Sequence, residues 1–229
     1  ADDYLYVFGG ASNDPFTGNI SLAARYAPTT NSWSAVEGLP TGRSGMAAVY
    51  YDGEIWLIGG FGPAGDSLAS VLIYDIATNT CCSNGPSLPS PRDHAGAIVI
   101  DGELLVFGGR KRNGGTEEPT SVVRLTSSDD KTWSSSGLEA MPRARRSFVI
   151  GTAEGKVQLF GGESQGAETI DEVDEFDPVT GEWSTSLPAM PTGRHGPAGA
   201  TIGPSTFVVG GSLEMGAAKP TDVNERFTR

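Results

Sequence analysis

The sequence predicts an all-β protein of the β-propeller class, with five recognisable four-stranded blades of which the first and the last are incomplete. A Gly-Gly pair preceded by an apolar or aromatic residue occurs five times in the 229 residues, at intervals of 50, 49, 53 and 49 residues. No window shows a helical period of apolar residues. A period near fifty residues indicates a supersecondary unit that buries its faces only by stacking on copies of itself. The pairs are Gly9-Gly10, Gly59-Gly60, Gly108-Gly109, Gly161-Gly162 and Gly210-Gly211.

The first two strands of a repeat form a hairpin that ends at the Gly-Gly pair. Asp52-Gly53, Asp101-Gly102 and Glu154-Gly155 each lie between two apolar runs. Asp-Gly in this setting favours a primed turn, in which φ is positive. The Gly-Gly pair that follows indicates a positive φ or a close approach of neighbouring backbone.

The third and fourth strands are marked by large apolar residues. The third strand ends at Tyr26, Tyr74, Leu125, Phe176 or Phe227. A Trp follows Tyr26, Leu125 and Phe176 by seven or eight residues. Cys81 takes the place of the Trp in the second repeat. Because each blade lies between two others, we expect these aromatic residues to fill the space between blades. The tryptophans are Trp33, Trp133 and Trp183.

Each of the first four repeats closes with Leu or Met, then Pro, then an arginine shortly afterwards. These marks divide the chain into blades at about 1–43, 44–92, 93–145, 146–194 and 195–229. The continuity of the repeat predicts that residues 1–229 form a single domain. The closing arginines are Arg43, Arg92, Arg145 and Arg194.

In these marks the chain resembles the kelch-repeat family. The Gly-Gly pair, the aromatic residue of the third strand, the following Trp and the closing Pro and Arg are that family's repeat signature, and they cover essentially the whole sequence. The resemblance implies a kelch-type propeller. It also implies a protein-interaction module, although kelch propellers include oxidases as well.

The first and last repeats lack elements that the others have. The sequence opens in a second strand, at residues 3–8, and stops after a third strand, at residues 223–229. We therefore expect a fragment, or a chain completed by further residues or by another chain. Bare blade faces and unpaired strand edges would be sites of association.

Composition excludes several classes of function. The formal net charge of −12 argues against nucleic-acid binding, which needs clustered Lys and Arg. No apolar stretch is long enough for a membrane-spanning helix, and no signal-peptide pattern indicates a compartment, so the localisation is unknown. Cys81 and Cys82 are adjacent in sequence, and either a buried residue beside an exposed thiol or a vicinal disulfide fits them.

The closing arginines are the first candidates for partner binding. Each is expected where a fourth strand passes to the next blade, on one end of the propeller. In kelch domains that bind acidic peptides, arginines at this position contact the ligand's carboxylates, which a guanidinium binds through a planar fork. The alternative is that they hold neighbouring blades together.

The loops after the Gly-Gly pairs are the second candidates, because variable loops on a rigid frame often carry recognition. Arg110 begins the basic triplet of these loops, which either contacts a partner or pairs with Glu117-Glu118 of its own solvated loop. The loops also carry four apolar residues that either anchor a partner or fold back onto their own blade: Phe16, Phe61, Leu213 and Met215. An acidic run at 168–177 is expected to protect a solvent-facing strand rather than to bind calcium.

The sequence predicts no enzyme, no catalytic residue, no metal site and no cofactor. His94 and His195 follow closing arginines and are grouped with the partner-binding candidates, but the ligands of a galactose-oxidase-type copper centre are absent. The main hypothesis is a module that binds a protein or peptide, with an acidic segment as one form of partner. The alternatives are a catalytic or carbohydrate-binding propeller and a structural subunit completed by another chain.

Overall fold

The computed structural model describes residues 1, 3–12, 18–113, 118–126, 131–166, 169–215 and 218–229. The chain forms two compact units. Unit 1 comprises Ala1–Asp93 and Lys111–Gly115, and unit 2 comprises His94–Arg110 and Thr116–Arg229. No α-helix occurs in the described ranges, which confirms the all-β prediction. That the 229 residues form one domain stays a prediction.

Unit 1 contains two antiparallel sheets. Blade 1 has three strands in the order β1-β2-β3, and blade 2 has four in the order β4-β5-β6-β7. The missing strand of blade 1 is the first of the repeat, as the sequence predicted. The strands are β1 (Leu5–Phe8), β2 (Ala23–Ala27), β3 (Ser32–Val36), β4 (Ala47–Tyr51), β5 (Glu54–Ile58), β6 (Val71–Asp75) and β7 (Thr80–Asn84).

Unit 2 contains three antiparallel sheets. Blades 3 and 4 have four strands each, and blade 5 has three because its fourth strand is missing. The strands are β8 (Gly96–Ile100), β9 (Glu103–Phe107), β10 (Val122–Leu125), β11 (Trp133–Ser134), β12 (Val149–Ala153), β13 (Lys156–Phe160), β14 (Val173–Phe176), β15 (Trp183–Ser184), β16 (Ala198–Ile202), β17 (Ser205–Val209) and β18 (Asn224–Thr228).

The hairpin turns and the Gly-Gly pairs adopt the expected geometry. Asp52 and Gly53 have φ of 53° and 86°, as a primed turn requires. Gly60 has φ of 94°, and a Cβ atom at this position would lie 2.6 Å from the Ser44 carbonyl oxygen. Both a positive φ and a close backbone approach therefore require glycine here.

Aromatic residues pack between successive blades inside each unit. In unit 1, Phe8 of blade 1 lies against Tyr74 of blade 2, with ring centroids 5.1 Å apart. In unit 2, Phe107 of blade 3 contacts Phe176 of blade 4 at 5.4 Å. Phe160 of blade 4 contacts Phe227 of blade 5 at 5.3 Å. The residue before a Gly-Gly pair thus reaches the end of the next blade's third strand.

Trp33 departs from the expected role of a filler between blades. Its side chain is 56% exposed, whereas Trp133 is buried and Trp183 half-buried. Trp183 packs against Phe107 of the preceding blade, at a centroid distance of 6.0 Å. Unit 1 has no sheet before blade 1, so nothing described there covers Trp33.

The adjacent cysteines form the vicinal disulfide that was one of the two interpretations of the sequence. Cys81 and Cys82 are bonded to each other, and the peptide bond between them is cis. Both lie in β7 and pack at the edge of the apolar cluster that includes Leu57 and Tyr74.

Candidate interaction face

The candidate site lies at one end of the blades of each unit, and we call this end the Gly-Gly face. It consists of the loops between second and third strands and the connections from a fourth strand to the next blade. The closing arginines, the two histidines and the basic triplet all occur in these segments.

The closing arginine of blade 1 is buried and binds backbone. Arg43 is 4% exposed. Its Nη1 donates to the carbonyl oxygens of Gly59, at 3.2 Å, and Ser70, at 3.1 Å, and its Nη2 donates to Ser70 Oγ at 2.8 Å. Arg92 is also buried, and burial lowers its pKa to about 10. Arg43 therefore ties blade 1 to blade 2 inside unit 1.

The closing arginines of unit 2 make the same type of contact. Arg145 donates from Nη1 to the Gly161 carbonyl at 3.1 Å and from Nη2 to the Asp174 carboxylate. Arg194 donates from Nη2 to the Val208 carbonyl at 2.8 Å and from Nη1 to Glu225 Oε2 at 2.7 Å. Each guanidinium is at most 1% exposed and reaches the next blade.

This geometry favours the structural alternative for the arginines that were also predicted to bind a partner. A buried guanidinium whose donors are taken by carbonyl oxygens would have to give up those bonds to bind a ligand's carboxylate, and it would leave buried acceptors unpaired. The two roles compete for the same donors.

The two histidines occupy different environments. His94 is half-buried, has φ of 52°, and its carbonyl accepts a hydrogen bond from Ser147 N at 3.0 Å. His195 is buried, and its Nε2 lies 2.8 Å from the Glu214 carbonyl oxygen. His195 Nδ1 is 3.7 Å from Glu163 Oε2. His195 thus contacts the backbone of the blade 5 loop on its buried side rather than facing solvent.

A buried charged cluster that the sequence did not predict adjoins His195. Arg146 Nε donates to Glu163 Oε1 at 3.0 Å, and its Nη1 forms an ion pair with Glu118. The three side chains are each less than 10% exposed. Arg146 and Glu163 are brought together by a β-bridge, which extends the β12–β13 hairpin. Two repeat positions carry the sequence signal for this cluster. Glu163 directly follows a Gly-Gly pair, and Arg146 directly follows a closing arginine.

Unit 1 has a corresponding cluster, which we call the Arg112 cluster: Phe61, Ser67, Asp93 and Arg112. The Arg112 guanidinium lies over the Phe61 ring, 5.4 Å from its centroid, and Arg112 N donates to Ser67 Oγ at 3.0 Å. Ser67 Oγ donates to Asp93 Oδ2 at 2.5 Å. Phe61 is buried and forms β-bridges with Ser44 and Ser67, which agrees with the interpretation that it folds back onto its own blade.

The remaining loop candidates are more accessible. Arg110 and Lys111 are half-buried, as is Arg112. Leu213 and Met215, in the blade 5 loop, are also half-buried. Phe16 lies outside the described residues.

The acidic run does not protect a solvent-facing strand, and that expectation was wrong. Asp174 and Glu175 lie in β14 and are buried, because this strand is covered on both faces. Asp174 pairs with Arg145, and Glu175 pairs with Arg229 of blade 5. Glu168 is not among the described residues. Within those that are, no group of three or more His, Cys, Asp or Glu side chains could hold a metal ion.

Comparison with known proteins agrees with the repeat signature. The family model for the KLHDC2/KLHL20/DRC7 Kelch-repeats domain matches residues 1–211, and the chain belongs to this family. Kelch-repeat propellers of this family generally mediate protein–protein interaction, and their kelch-like relatives are mostly not enzymes.

Two curated relatives match nearly the whole chain. The Kelch-like protein terF of Aspergillus terreus is 26% identical over 94% of this chain and 49% of its own length. Human Kelch-like protein 34 is 24% identical over 92% of this chain and 33% of its own length. The chain therefore spans half or less of the length of these relatives.

A solved structure shows the same fold. The structure of YjhT superposes with a TM-score of 0.81 at 17% identity, over 100% of this chain and 79% of the other. This similarity confirms the kelch-type propeller fold. No helix in the described part of this chain is long and apolar enough to span a membrane.

Proposed function

We propose that the domain binds a segment of a partner protein at the Gly-Gly face, through the loops rather than through the closing arginines. The observation that carries this proposal is the contrast in burial between the two sets. The closing arginines are at most 4% exposed, and Arg43, Arg145 and Arg194 are bonded to groups of the next blade. Lys111 and Arg112, in contrast, present positive charge at a partly exposed position.

The closing arginines would then act indirectly, by fixing the backbone of the loops at the Gly-Gly face. Arg43 fixes the carbonyls of Gly59 and Ser70, which are the two ends of the blade 2 loop that carries Phe61. A loop whose ends are held this way loses less conformational freedom when a partner binds.

We propose an acidic segment as the partner class for unit 1. The adjacent cationic residues Lys111 and Arg112 form a local positive site on a chain of net charge −12 and would attract carboxylates. The stack of Arg112 on Phe61 fixes the direction of the guanidinium, and its backbone bond to Ser67 fixes the loop. A guanidinium whose direction is fixed in this way is suited to binding a carboxylate through its planar fork.

In unit 2, Arg110 and His94 contact the bound segment, and both are half-buried. His195 has a positioning role, because it is buried against the carbonyl of Glu214 and orients the blade 5 loop. Leu213 and Met215 of that loop supply apolar area to a segment bound at unit 2.

The test compares partner capture by three folded proteins from a lysate of the source organism. These are the wild type, a Lys111→Ser/Arg112→Ser variant, and a Lys131→Ser/Lys156→Ser variant that removes the same charge near the hairpin turns at the other end of the blades. We expect a captured protein with an acidic segment to be lost from the first variant and retained by the second. A synthetic peptide of that segment should then bind more weakly as salt is raised.

Equal capture by all three proteins would overturn the acidic-segment proposal. Loss from the hairpin-end variant alone would place binding at the opposite end of the blades and would overturn the assignment to the Gly-Gly face.

A further inference from the structure

The vicinal disulfide of blade 2 lies where the pairing of β6 with β7 is irregular. The ladder shifts by one residue between Ile73 and Asp75, so that Tyr74 lies opposite both Cys81 and Cys82. In a regular antiparallel ladder one residue opposes one residue, and an extra residue on one strand is a β-bulge. The bonded cysteines are therefore a bulge on β7, which is the outermost strand of its sheet.

Blade 1 shows the same turn followed by a regular ladder. The Tyr26 hydroxyl donates to Asn31 Oδ1 at 2.6 Å, and the Tyr74 hydroxyl of blade 2 donates to Asn79 Oδ1. The two asparagines have similar positive φ values, 49° and 54°. After the turn in blade 1, Tyr26 pairs one to one with Trp33. The irregularity of blade 2 therefore begins at the cysteines and not at the turn.

The disulfide bond and a regular strand exclude each other at this position. Successive side chains of a β-strand point to opposite faces, so two adjacent sulfur atoms in a regular strand lie on opposite sides of the sheet. Cys81 and Cys82 instead both pack against the apolar cluster that includes Leu57 and Tyr74. Once the bond is open, Cys81 is free to point towards this cluster, as a Trp does at its repeat position, while Cys82 points to the opposite face.

The cysteine pair is accessible to small molecules, and no third cysteine competes with it. Both side chains are half-buried, and they are the only two cysteines among the 229 residues. A small thiol that becomes attached to one of them can therefore be displaced, within one chain, only by the neighbouring cysteine. The pair is thus a self-contained two-electron couple.

We propose that Cys81 and Cys82 form a reversible thiol–disulfide exchange site whose substrate is a small aliphatic thiol. The thiolate of this substrate attacks one cysteine sulfur, the bond between the two cysteines breaks, and the released cysteine thiolate takes up a proton. A second small thiol attacks the mixed disulfide, which gives a small-molecule disulfide and the second cysteine thiol. Two electrons and two protons thus pass from two small thiols to the cysteines, and β7 becomes regular.

The first measurement uses glutathione as the small thiol and the folded 229-residue chain at neutral pH. After glutathione is removed, iodoacetamide and intact-mass spectrometry count the free thiols. We expect two alkyl groups per chain after glutathione and none before, since both cysteines are bonded to each other. The same treatment in urea shows the full reaction. If the bond opens in urea but not in the folded chain, the pair is a structural disulfide and the proposal is overturned.

The Cys81→Ser variant tests the exchange step. Treated with oxidised glutathione, it should keep one glutathione on Cys82, because the neighbouring thiol that would displace it is absent. The reduced wild type should form its own disulfide again and keep no glutathione. A variant that takes up no glutathione, or a wild type that retains it, would overturn the proposed exchange.

The change in β7 is tested on the reduced wild type by short iodoacetamide pulses, with tandem mass spectrometry to locate the first alkyl group. We expect Cys82 to react at least about ten-fold faster than Cys81, because Cys81 then lies among apolar side chains. In urea the two rates should differ by less than about two-fold, since neither thiol is covered there. Equal rates in the folded, reduced chain would overturn the proposed change of β7.

Discussion

The Nη2 of Arg145 donates to the carboxylate of Asp174 in unit 2, where the two side chains are 1% and 6% exposed. Burial lowers the pKa of Arg145 and raises the pKa of Asp174, while each charge favours the ionised form of the other. The pair joins the closing arginine of blade 3 to the third strand of blade 4. Its loss would leave a charge in the interior.

We expect Arg145→Met to lower the free energy of unfolding by about 3–5 kcal/mol, because removal of one partner leaves Asp174 buried without its counter-charge. Urea unfolding at pH 7 measures the change. Arg143→Met is the matched control, since Arg143 lies two residues earlier and pairs with Glu172 at the surface. An exposed pair contributes at most about 1 kcal/mol. Equal losses in the two variants would contradict a special role for burial.

The elements that the sequence predicts correctly depend on local chemistry. The Asp52-Gly53 turn needs positive φ at both positions, and the Gly-Gly pairs need backbone approach, so each leaves a mark within a few residues. The same is true of the missing first strand of blade 1, since the period of the repeat shows which element is absent.

The features that the sequence does not predict depend on partners far along the chain. The burial of Asp174 and Glu175 was missed because alternation along one strand suggests a solvent-facing side. Their partners, Arg145 and Arg229, come from other repeats. The exposure of Trp33 was missed for a related reason, because its Trp-Ser motif is the same as at Trp133 and Trp183, and only the neighbouring sheet decides its burial.

Two glycines at the same repeat position should respond differently to alanine. Gly60→Ala places a Cβ atom 2.6 Å from the Ser44 carbonyl oxygen at φ of 94°, whereas Gly10→Ala at φ of 109° meets open space. We expect the first to cost about 2–4 kcal/mol, from strain and displacement together, and the second about 1 kcal/mol, from strain alone. Thermal unfolding of both variants tests this. A larger loss for Gly10→Ala would contradict the assigned geometry.

Trp183→Ala and Trp33→Ala should also differ in how much each lowers the free energy of unfolding. Trp183 packs on Phe107 and Phe176, so its truncation opens a cavity between blades 3 and 4. We expect a loss of about 3 kcal/mol, near the lower end for buried aromatic residues. Trp33 is exposed in this chain, and its truncation should cost less than about 1 kcal/mol. Chemical denaturation of the two variants is the measurement, and equal losses would show that Trp33 is covered in solution.

The turn at Asp177 should give a pH-dependent contribution to stability. Its Oδ1 accepts hydrogen bonds from the backbone N–H groups of Val179, at 2.9 Å, and Thr180, at 3.3 Å, and the Val179 bond is the main reason that the pKa of Asp177 is lowered. A depressed folded-state pKa stabilises the protein above the ordinary carboxyl value of about 3.9, and this stabilisation is lost as the pH falls through the folded pKa.

Asp177→Asn keeps the Oδ1 acceptor and removes the charge, together with the ion pair that Asp177 Oδ2 forms with Lys156 Nζ at 3.3 Å. We expect the variant to melt at a lower temperature than the wild type at pH 7, and the difference to shrink as the pH falls below about 4, where the unfolded-state carboxyl begins to protonate. Melting curves at several pH values provide the test. Asp171→Asn, which removes an exposed charge from the segment before β14, is the control for the loss of one negative charge. A difference between wild type and Asp177→Asn that is constant with pH would mean that the charge does not contribute through this turn.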